Sequence, residues 1–134
     1  MSDWNTAIIE EFRANEGRVG GQFKGGTLLL LHHTGARSGM ERVSPLAYFA
    51  DGERMIIVAS AAGAPKNPDW FHNLRAHPRT KVEVGTAMVA VDATELTGDE
   101  YTEMWERVTN AMPGFAEYQK QTTRRIPLVA LQPA

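Results

Sequence analysis

The chain has 134 residues, of which 43% are hydrophobic and 22% are charged, and it is predicted to form one domain with a substantial core. Fourteen basic and sixteen acidic residues give a net charge of −2, which argues against a general nucleic-acid binder because such binding depends on excess positive charge. Without cysteine, disulfides, thiolate nucleophiles and cysteine-ligated metals are excluded. The first residues lack the features of a signal peptide, and no apolar run approaches the ~20 residues of a membrane span. We therefore expect a cytoplasmic protein, at most in peripheral contact with the inner face of the cell membrane.

The N-terminal segment predicts an amphipathic helix over residues 3–15. Trp4, Ile8 and Phe12 recur every four residues and form one apolar stripe. The simplest interpretation is a helix that packs on the core, and the acidic opposite face disfavours a membrane-surface helix. Five glycines between Gly17 and Gly26 predict an irregular connector after it.

Three strands are predicted next, as an antiparallel meander. Thr27–His33 and Val43–Ala50 are apolar runs joined by a polar turn. Asp51-Gly52 is a strong hairpin signal and leads into a third strand, Arg54–Ser60.

A helix is predicted after the third strand. Asn67 is expected to cap it, with Pro68 at its first position and Asp69 in its first turn. The His-Pro pair at positions 77 and 78 is expected to end it at about Ala76.

The remaining chain predicts two further strands, two helices and a closing strand. Thr97-Gly98-Asp99-Glu100 has the spacing of a capping box and is expected to open the first helix. The predicted elements are strands Lys81–Val84 and Ala87–Leu96, a helix through Tyr101 and Val108, a short helix Phe115–Gln121 and a strand Ile126–Leu131. About six short, mostly antiparallel strands with inserted helices indicate an α+β barrel.

The turn between the first two strands concentrates polar residues between two apolar runs. Arg37 and Arg42 bracket it, and an arginine fork matches a phosphate or a carboxylate in a bidentate way. Ser38 and Ser44 add hydroxyl donors. The alternative is a solvated hairpin tip whose arginines serve solubility alone.

A second polar cluster lies around the start of the predicted helix after the third strand. Residues 61–64 have side chains too small to block a flat ring from the backbone, and Lys66 supplies positive charge. The free N–H groups and the dipole of a helix N-terminus favour an anion. Trp70, in the first turn, either stacks on a ring or fills the core. Together the two clusters predict a site for an anionic cofactor with an aromatic wall.

No metal or catalytic constellation is evident in the sequence. His32 and His33 are adjacent, so in a strand they point to opposite faces and cannot share a metal ion. One of them is expected to make a hydrogen bond in the core. No nucleophile-elbow motif supports a catalytic triad. Such a protein suits a cofactor that brings its own reactivity.

Several motifs in order carry a resemblance to a known family. They are Thr-Gly-Ala-Arg-Ser-Gly-x-x-Arg-Val-Ser-Pro-Leu from Thr34, Val-Ala-Ser from Val58, Lys-Asn-Pro-x-Trp-x-x-Asn-Leu from Lys66, and Arg-x-Ile-Pro-Leu-Val from Arg124. This run closely resembles the deazaflavin-dependent nitroreductase family of actinobacteria. The resemblance implies a split β-barrel similar to FMN-binding proteins, in one domain of residues 1–134 with the barrel in 27–134 and the helix and connector in 1–26. It also implies the coenzyme F₄₂₀, a deazaflavin with a phospholactyl-polyglutamate tail.

The resemblance assigns roles to particular positions. It implies a tail-binding turn, a backbone stretch along the deazaflavin ring with Ser60 near the hydride-bearing carbon, and a helix start that closes one side of the site. The implied cofactor-binding residues are Ala36, Arg37, Ser38, Arg42, Val43, Ser44, Pro45, Val58, Ala59, Ser60, Ala61, Lys66, Asp69, Trp70, Phe71, His72, Asn73 and Phe115. Catalytic roles are expected for Ser60 and Tyr118. The proton is expected to come either from Tyr118 or from water.

The sequence departs from the family pattern in two places. Relatives that reduce nitro-prodrugs carry a tyrosine cluster where this chain has Met112, Phe115 and Tyr118. The first basic residue of the turn motif is replaced by Ala36.

The function expected from the resemblance is F₄₂₀H₂-dependent reduction of an electron-poor acceptor, namely a conjugated enone or lactone, a quinone or a nitroaromatic compound. The alternatives are an FMN-dependent oxidoreductase and a non-catalytic carrier of F₄₂₀. The sequence leaves open the physiological acceptor and the choice between monomer and homodimer.

Overall fold

The computed structural model describes residues 3–15, 28–60, 63 and 65–134, with side chains from residue 6 onward in the first of these ranges. It contains four helices and six strands in these ranges. In chain order they are α1 (Asp3–Ala14), β1 (Leu28–Thr34), β2 (Glu41–Asp51), β3 (Arg54–Val58), α2 (Asp69–Ala76), β4 (Arg79–Val84), β5 (Ala87–Glu95), α3 (Gly98–Ala111), α4 (Gly114–Lys120) and β6 (Leu128–Pro133).

The six strands form one closed barrel in the order β1-β2-β3-β6-β5-β4, and every neighbouring pair is antiparallel. Closure pairs β4 with β1, so no strand of the barrel is left with an unpaired edge. The predicted α+β split barrel of about six strands is confirmed.

Alternation along the strands separates an inner from an outer face. Leu29 and Leu31 of β1 join a core cluster to which all six strands contribute, so this cluster is the barrel interior. Leu28 and Leu30 point the other way and pack against Ile9 and Phe12 of α1. Helix α1 therefore covers the outside of β1. Of the predicted stripe, Phe12 is buried and Ile8 is only partly buried, whereas the buried neighbour Ile9 was not predicted; the side chain of Trp4 lies outside the described residues.

Two other helices complete the packing. Helix α3 covers the outer face of β3 and β6, where Tyr101, Met104 and Val108 are buried. Helix α2 inserts Trp70, Phe71 and Leu74 into the interior cluster and so closes one end of the barrel. The candidate functional site lies at this closed end.

Two predicted helix caps are wrong, although both helices form within one or two residues of the expected positions. Pro68, and not Asn67, precedes the first residue of α2, and no side chain caps that helix. Asn67 is instead engaged by Arg124, as described below. Thr97 precedes α3, but its side chain makes no capping hydrogen bond. The predicted connector between Gly17 and Gly26 lies outside the described residues.

Candidate functional site

The turn between β1 and β2 is closed by its own backbone. Gly35 N–H donates to the carbonyl of Met40 at 2.9 Å, and Gly39 N–H donates to the carbonyl of Gly35 at 2.9 Å. Ser38 Oγ accepts from Met40 N–H at 3.2 Å, and it sits where a β-carbon at Gly35 would be. Gly39 has a positive φ of 70°, which glycine adopts without strain. The local sequence therefore shapes a compact loop.

Asn73 of α2 ties this loop to the end of the barrel. Its Oδ1 accepts a hydrogen bond from Ala36 N–H at 2.9 Å, and its Nδ2 lies 2.9 Å from Nδ1 of His33. Both Asn73 and His33 are buried. The loop and the helix that line the site are thus held in one relative position by a side chain between them.

His33 continues this chain of contacts to the next strand. Its Nε2 lies 2.9 Å from Ser44 Oγ of β2. Burial lowers the pKa of His33 to about 4, with Arg42 and His32 acting in the same direction and Asp69 opposing them. The imidazole is therefore neutral near pH 7.

His32 faces away from His33, as the alternation of a strand predicts. Its Nε2 lies 2.8 Å from Glu83 Oε2, and its Nδ1 lies 3.3 Å from Glu41 Oε1. Arg13 of α1 bonds the same Glu83 at 2.6 Å through Nη2, which holds the pKa of that carboxyl below its usual range. The expected core hydrogen bond of one histidine is found, and the second histidine is also bonded.

Two cavities meet beside the turn. The first, which we call the turn cavity, has a volume of about 580 Å³. The second, which we call the helix cavity, has a volume of about 700 Å³ and lies between α1, β2 and the start of α2. Arg42 and Asp69 line both, so the two form one cleft. The turn cavity is lined by Gly35, Ala36, Arg37, Ser38, Arg42, Asp69, His72 and Asn73; the helix cavity is lined by Thr6, Ile9, Glu10, Arg13, His33, Glu41, Arg42, Val43, Ser44, Asp69 and Trp70.

Arg37 and Arg42 bring two guanidinium groups to the turn cavity, which the carboxylate of Asp69 also lines. Both are exposed, and neither has a hydrogen-bond or ion-pair partner among the described residues. By contrast, Arg13, Arg54 and Arg107 are each paired with a carboxylate. Two unpaired guanidinium groups on one cavity are suited to a phosphate or a carboxylate ligand.

Trp70 fills the core and also lines the helix cavity. It is 6% exposed and belongs to the interior core cluster, yet part of it lines the helix cavity. It therefore offers a rigid aromatic wall whose ring is held by the core behind it.

The loop after β3 is held by Arg124. Its Nη1 donates to the carbonyl of Ala59 at 3.0 Å and to Asn67 Oδ1 at 2.7 Å, and its Nη2 donates to the carbonyl of Ser60 at 2.8 Å. Burial lowers the pKa of Arg124 from its ordinary value, although a guanidinium stays charged. One side chain thus fixes both ends of the segment 59–67.

Helix α4 lies against the same loop. A β-carbon at Gly63 would lie 3.2 Å from the carbonyl oxygen of Tyr118 and 2.9 Å from Gln121 Oε1. The rings of Phe115 and Tyr118 meet edge to face at 6.2 Å and pack on the cluster between α3 and β3. These two aromatic residues are near the loop after β3 but line neither cavity.

The predicted cofactor-binding residues fall into two groups. The cleft brings together Ala36, Arg37, Ser38, Arg42, Val43, Ser44, Asp69, Trp70, His72 and Asn73. Outside the cleft lining are Pro45, Val58, Ala59, Ser60, Lys66, Phe71 and Phe115; of these, Val58, Ala59, Ser60 and Phe71 are buried. Ala61 lies outside the described residues.

His33 and Arg124 are the site residues that sequence reasoning missed. Each is polar and lies beside or within an apolar run, at the end of Leu28–Leu31 and just before Ile126. A polar residue in such a place is usually satisfied by a specific partner, but Asn73 lies 40 residues from His33, and Ala59 lies 65 residues from Arg124.

Comparison with known proteins identifies the family. The sequence model of the F₄₂₀H₂-dependent quinone reductases matches residues 4–133. The chain belongs to this family. An F₄₂₀H₂-dependent quinone reductase of Mycobacterium tuberculosis (strain ATCC 25618 / H37Rv) is 37% identical over 124 residues, which cover 90% of this chain and 83% of that protein.

Solved structures agree with membership of the quinone reductase family. The chain is similar to an F₄₂₀H₂-dependent reductase, FDR-A, with a TM-score of 0.72 and 36% identity over 79% of this chain and 94% of that one. It is also similar to a structure described as a domain-swapped dimer, with a TM-score of 0.74 and 33% identity over 97% and 98% of the two chains. The resemblance to deazaflavin-dependent reductases is confirmed. The chain is an F₄₂₀-dependent oxidoreductase, and its cofactor is coenzyme F₄₂₀.

Family membership does not by itself locate the F₄₂₀ site on the protein or identify the acceptor. Among the helices that the structure describes, none is long and apolar enough to cross a membrane.

Proposed function

We propose that this quinone reductase binds F₄₂₀H₂ in the cleft formed by the turn cavity and the helix cavity and delivers its hydride to a quinone. The observation that carries the proposal is a pair of guanidinium groups without a partner among the described residues: Arg37 lines the turn cavity, and Arg42 lies where that cavity meets the helix cavity, which Trp70 walls. The anionic tail of the coenzyme needs cationic donors, and its flat ring needs an aromatic wall.

The residues of the turn cavity fit the tail of the coenzyme. Its phosphate and carboxylate groups accept hydrogen bonds, and Arg37, Arg42 and Ser38 are donors on exposed side chains. Each exposed ion pair contributes only ~0.2–1 kcal/mol, so tail binding is the sum of several such contacts. Lys66, which is exposed and unpaired among the described residues, extends the positive charge toward α2.

The residues of the helix cavity fit a ring. Trp70 supplies an aromatic face whose ring does not have to be ordered on binding, because the core already holds it. Val43 adds apolar surface and Ser44 a hydroxyl donor. Arg124 holds the carbonyls of Ala59 and Ser60, the backbone along which the resemblance places the ring, although this backbone lies outside the cleft lining.

The bound reduced deazaflavin supplies a hydride, and the protein supplies binding and orientation without a covalent intermediate. Conversion of a quinone to a hydroquinone also needs protons. We propose that Ser60 positions the reacting carbon of the coenzyme and that Tyr118 delivers a proton. Gly63 N–H donates to the carbonyl of Ser60, and a β-carbon at Gly63 would lie 3.2 Å from the carbonyl oxygen of Tyr118, so both residues border the same loop.

A quinone is the proposed acceptor because the family model and the relative from M. tuberculosis are described as quinone reductases. The alternative acceptors are nitroaromatic compounds and conjugated enones. The single phenol at Tyr118, beside Met112 and Phe115, favours the quinone over nitro-prodrugs.

All six strands of the barrel pair within this one chain, which also supplies every residue of the cleft lining described above. One similar structure is described as a domain-swapped dimer. We propose that either a monomer or a homodimer carries complete clefts. Light scattering combined with size-exclusion chromatography would give the oligomeric state, and an assay of each species would relate that state to activity.

The test is a fluorescence titration with oxidised F₄₂₀, followed by single-turnover reduction of a quinone, a nitroaromatic compound and an enone by F₄₂₀H₂. Arg37→Ala/Arg42→Ala is expected to weaken coenzyme binding by about three- to thirtyfold. Lys81→Ala is the matched control, since Lys81 on β4 is exposed, has no ion-pair partner within the described ranges and lines neither cavity.

Several outcomes would contradict the proposal. Equal affinity of the double variant and the Lys81→Ala control would place the coenzyme elsewhere. Tight binding without reduction of any acceptor would make the protein a carrier, and bound FMN in the absorbance spectrum of the purified protein would favour the flavin alternative. Tyr118→Phe with unchanged rates at every pH would remove that residue from proton delivery.

A further inference from the structure

A continuous chain of hydrogen bonds joins the two cavities through the end of the barrel. It runs from Ala36 N–H to Asn73 Oδ1, from Asn73 Nδ2 to His33 Nδ1, and from His33 Nε2 to Ser44 Oγ, each at 2.9 Å. All three distances are those of ordinary hydrogen bonds. The chain begins at the turn cavity and ends at the helix cavity.

The direction of the whole chain follows from its first member. A backbone N–H can only donate, so the atom of Asn73 that faces Ala36 is the amide oxygen. The amide nitrogen of Asn73 therefore faces His33 and donates to Nδ1. Because Nδ1 accepts, it carries no proton, and the neutral imidazole has its proton on Nε2.

The direction of these hydrogen bonds fixes the role of Ser44, the last residue in the series. His33 Nε2–H donates to Ser44 Oγ, so this oxygen acts as an acceptor and its own hydrogen must be donated elsewhere. His33 is the only hydrogen-bond partner of the Ser44 side chain among the residues that the structure describes. Ser44 lines the helix cavity, which is the space left for the second partner.

We propose that Asn73 and His33 are positioning residues that direct the hydroxyl hydrogen of Ser44 away from His33, so that Ser44 donates it to an acceptor oxygen of the bound coenzyme. The inference rests on the proposed function for the identity of the occupant, whereas the direction of the hydrogen bonds follows from this protein alone. Asn73, which holds the tail-binding turn in place, thus also sets the direction of the hydrogen bond that Ser44 makes in the helix cavity.

The direction of the chain can be measured without coenzyme. ¹⁵N-edited NMR of the imidazoles in the wild-type protein, with His33→Gln used to assign the signal, reports which ring nitrogen carries the proton. The expected result for His33 at neutral pH is the Nε2–H tautomer. The Nδ1–H tautomer would overturn the inference.

The effect on the ligand can be measured by a double-mutant cycle. Ser44→Ala should weaken binding of oxidised F₄₂₀ by about tenfold, because an acceptor of the ligand loses its donor. Asn73→Asp keeps an acceptor for Ala36 N–H but has no donor for His33. At mildly alkaline pH, where the ring is neutral, its proton then moves to Nδ1, and Ser44 donates to Nε2 instead of to the ligand.

The diagnostic quantity is the cost of Ser44→Ala in the two backgrounds. In the Asn73→Asp protein, the added Ser44→Ala is expected to change affinity by less than about twofold. This comparison cancels the repulsion that the new carboxylate exerts on an anionic ligand. A tenfold cost in both backgrounds would overturn the inference, because Ser44 would then donate independently of Asn73.

The outcomes separate this inference from the proposed function. If Arg37→Ala/Arg42→Ala weakens binding and Ser44→Ala does not, the coenzyme occupies the cleft and only the role of Ser44 fails. If neither changes the affinity, the proposed site and the donor role of Ser44 fail together. If Asn73→Asp does not fold, Ser44→Ala and the wild-type tautomer still decide the inference.

Discussion

Arg124 donates a hydrogen bond from Nη1 to Oδ1 of Asn67 at 2.7 Å, across 57 residues of chain. Asn67 was expected to cap α2, but its oxygen is taken by a guanidinium, and α2 begins without a side-chain cap. The same guanidinium holds the carbonyls of Ala59 and Ser60. A residue close to the start of the last strand thus fixes the loop along which the resemblance places the deazaflavin ring.

Replacement of this guanidinium should affect stability and binding together. Arg124→Ala removes three charge-assisted hydrogen bonds and should lower the free energy of unfolding by about 2–4 kcal/mol. The freed loop should also weaken F₄₂₀ binding. Urea unfolding and coenzyme titration would measure the two effects.

Its neighbour provides the control. Arg125 is exposed and lies over the ring of Tyr101 at 3.6 Å from the centroid. Arg125→Ala should cost only about 0.5–1 kcal/mol and leave coenzyme affinity unchanged. Similar effects of the two variants on affinity would show that Arg124 does not hold the loop.

The buried His33 should make the protein sensitive to mild acid. Its pKa is lowered from 6.5 to about 4 in the folded protein, chiefly by burial. Between these values the unfolded chain binds more protons at this residue than the folded one, so the stabilising contribution is complete above pH 6.5 and is lost as pH falls toward 4. In His33→Gln, the loss of unfolding free energy from about pH 7 to about pH 5 should be smaller by about 2 kcal/mol.

Urea unfolding at the two pH values measures this difference. His77→Gln is the control, because His77 is exposed at the end of α2. An acid-induced loss in His33→Gln as large as that of the wild type would contradict the prediction.

Gly63 should tolerate a side chain less well than Gly52, although both have positive φ angles, of 83° and 60°. A β-carbon at Gly63 would press on the backbone of Tyr118 and the side chain of Gln121, whereas one at Gly52 would meet nothing within 4 Å. Gly52→Ala should therefore cost about 1–2 kcal/mol from backbone strain alone. Gly63→Ala should cost at least about 1 kcal/mol more and should also weaken coenzyme binding.

Thermal or urea unfolding of the two glycine variants checks this prediction. Equal destabilisation would mean that α4 does not press on the loop after β3.

The contribution of the arginines should depend on salt and on the coenzyme tail. The wild-type affinity for full-length F₄₂₀ should fall as ionic strength rises, because the Debye length shortens from ~10 Å at 0.1 M to ~3 Å at 1 M. In Arg37→Ala/Arg42→Ala this dependence should be markedly weaker. A deazaflavin chromophore without the phosphate and glutamate tail should bind both proteins equally.

Titrations of both ligands at low and high salt measure the effect. A salt dependence that persists unchanged in the double variant would assign the tail to other cations, with Lys66 the next to be replaced.

Local patterns were sufficient for the elements of the fold. The Leu28–Leu31 run, the Asp51-Gly52 turn and the His77-Pro78 stop each act on neighbouring residues, so their consequences can be worked out along the chain. Arg37 and Arg42 were also found in this way, because two arginines close to one turn form a local pattern.

What the sequence by itself determined is the set of strands and helices, the charge of the turn and, through ordered motifs, the family. What only the tertiary structure decided is which partner each buried polar group takes. Asn67 binds Arg124 instead of its own helix, and Asn73 joins Ala36 to His33. The reason is physical: a buried donor or acceptor must find a partner, and in a closed barrel the available partner is set by which elements meet in space.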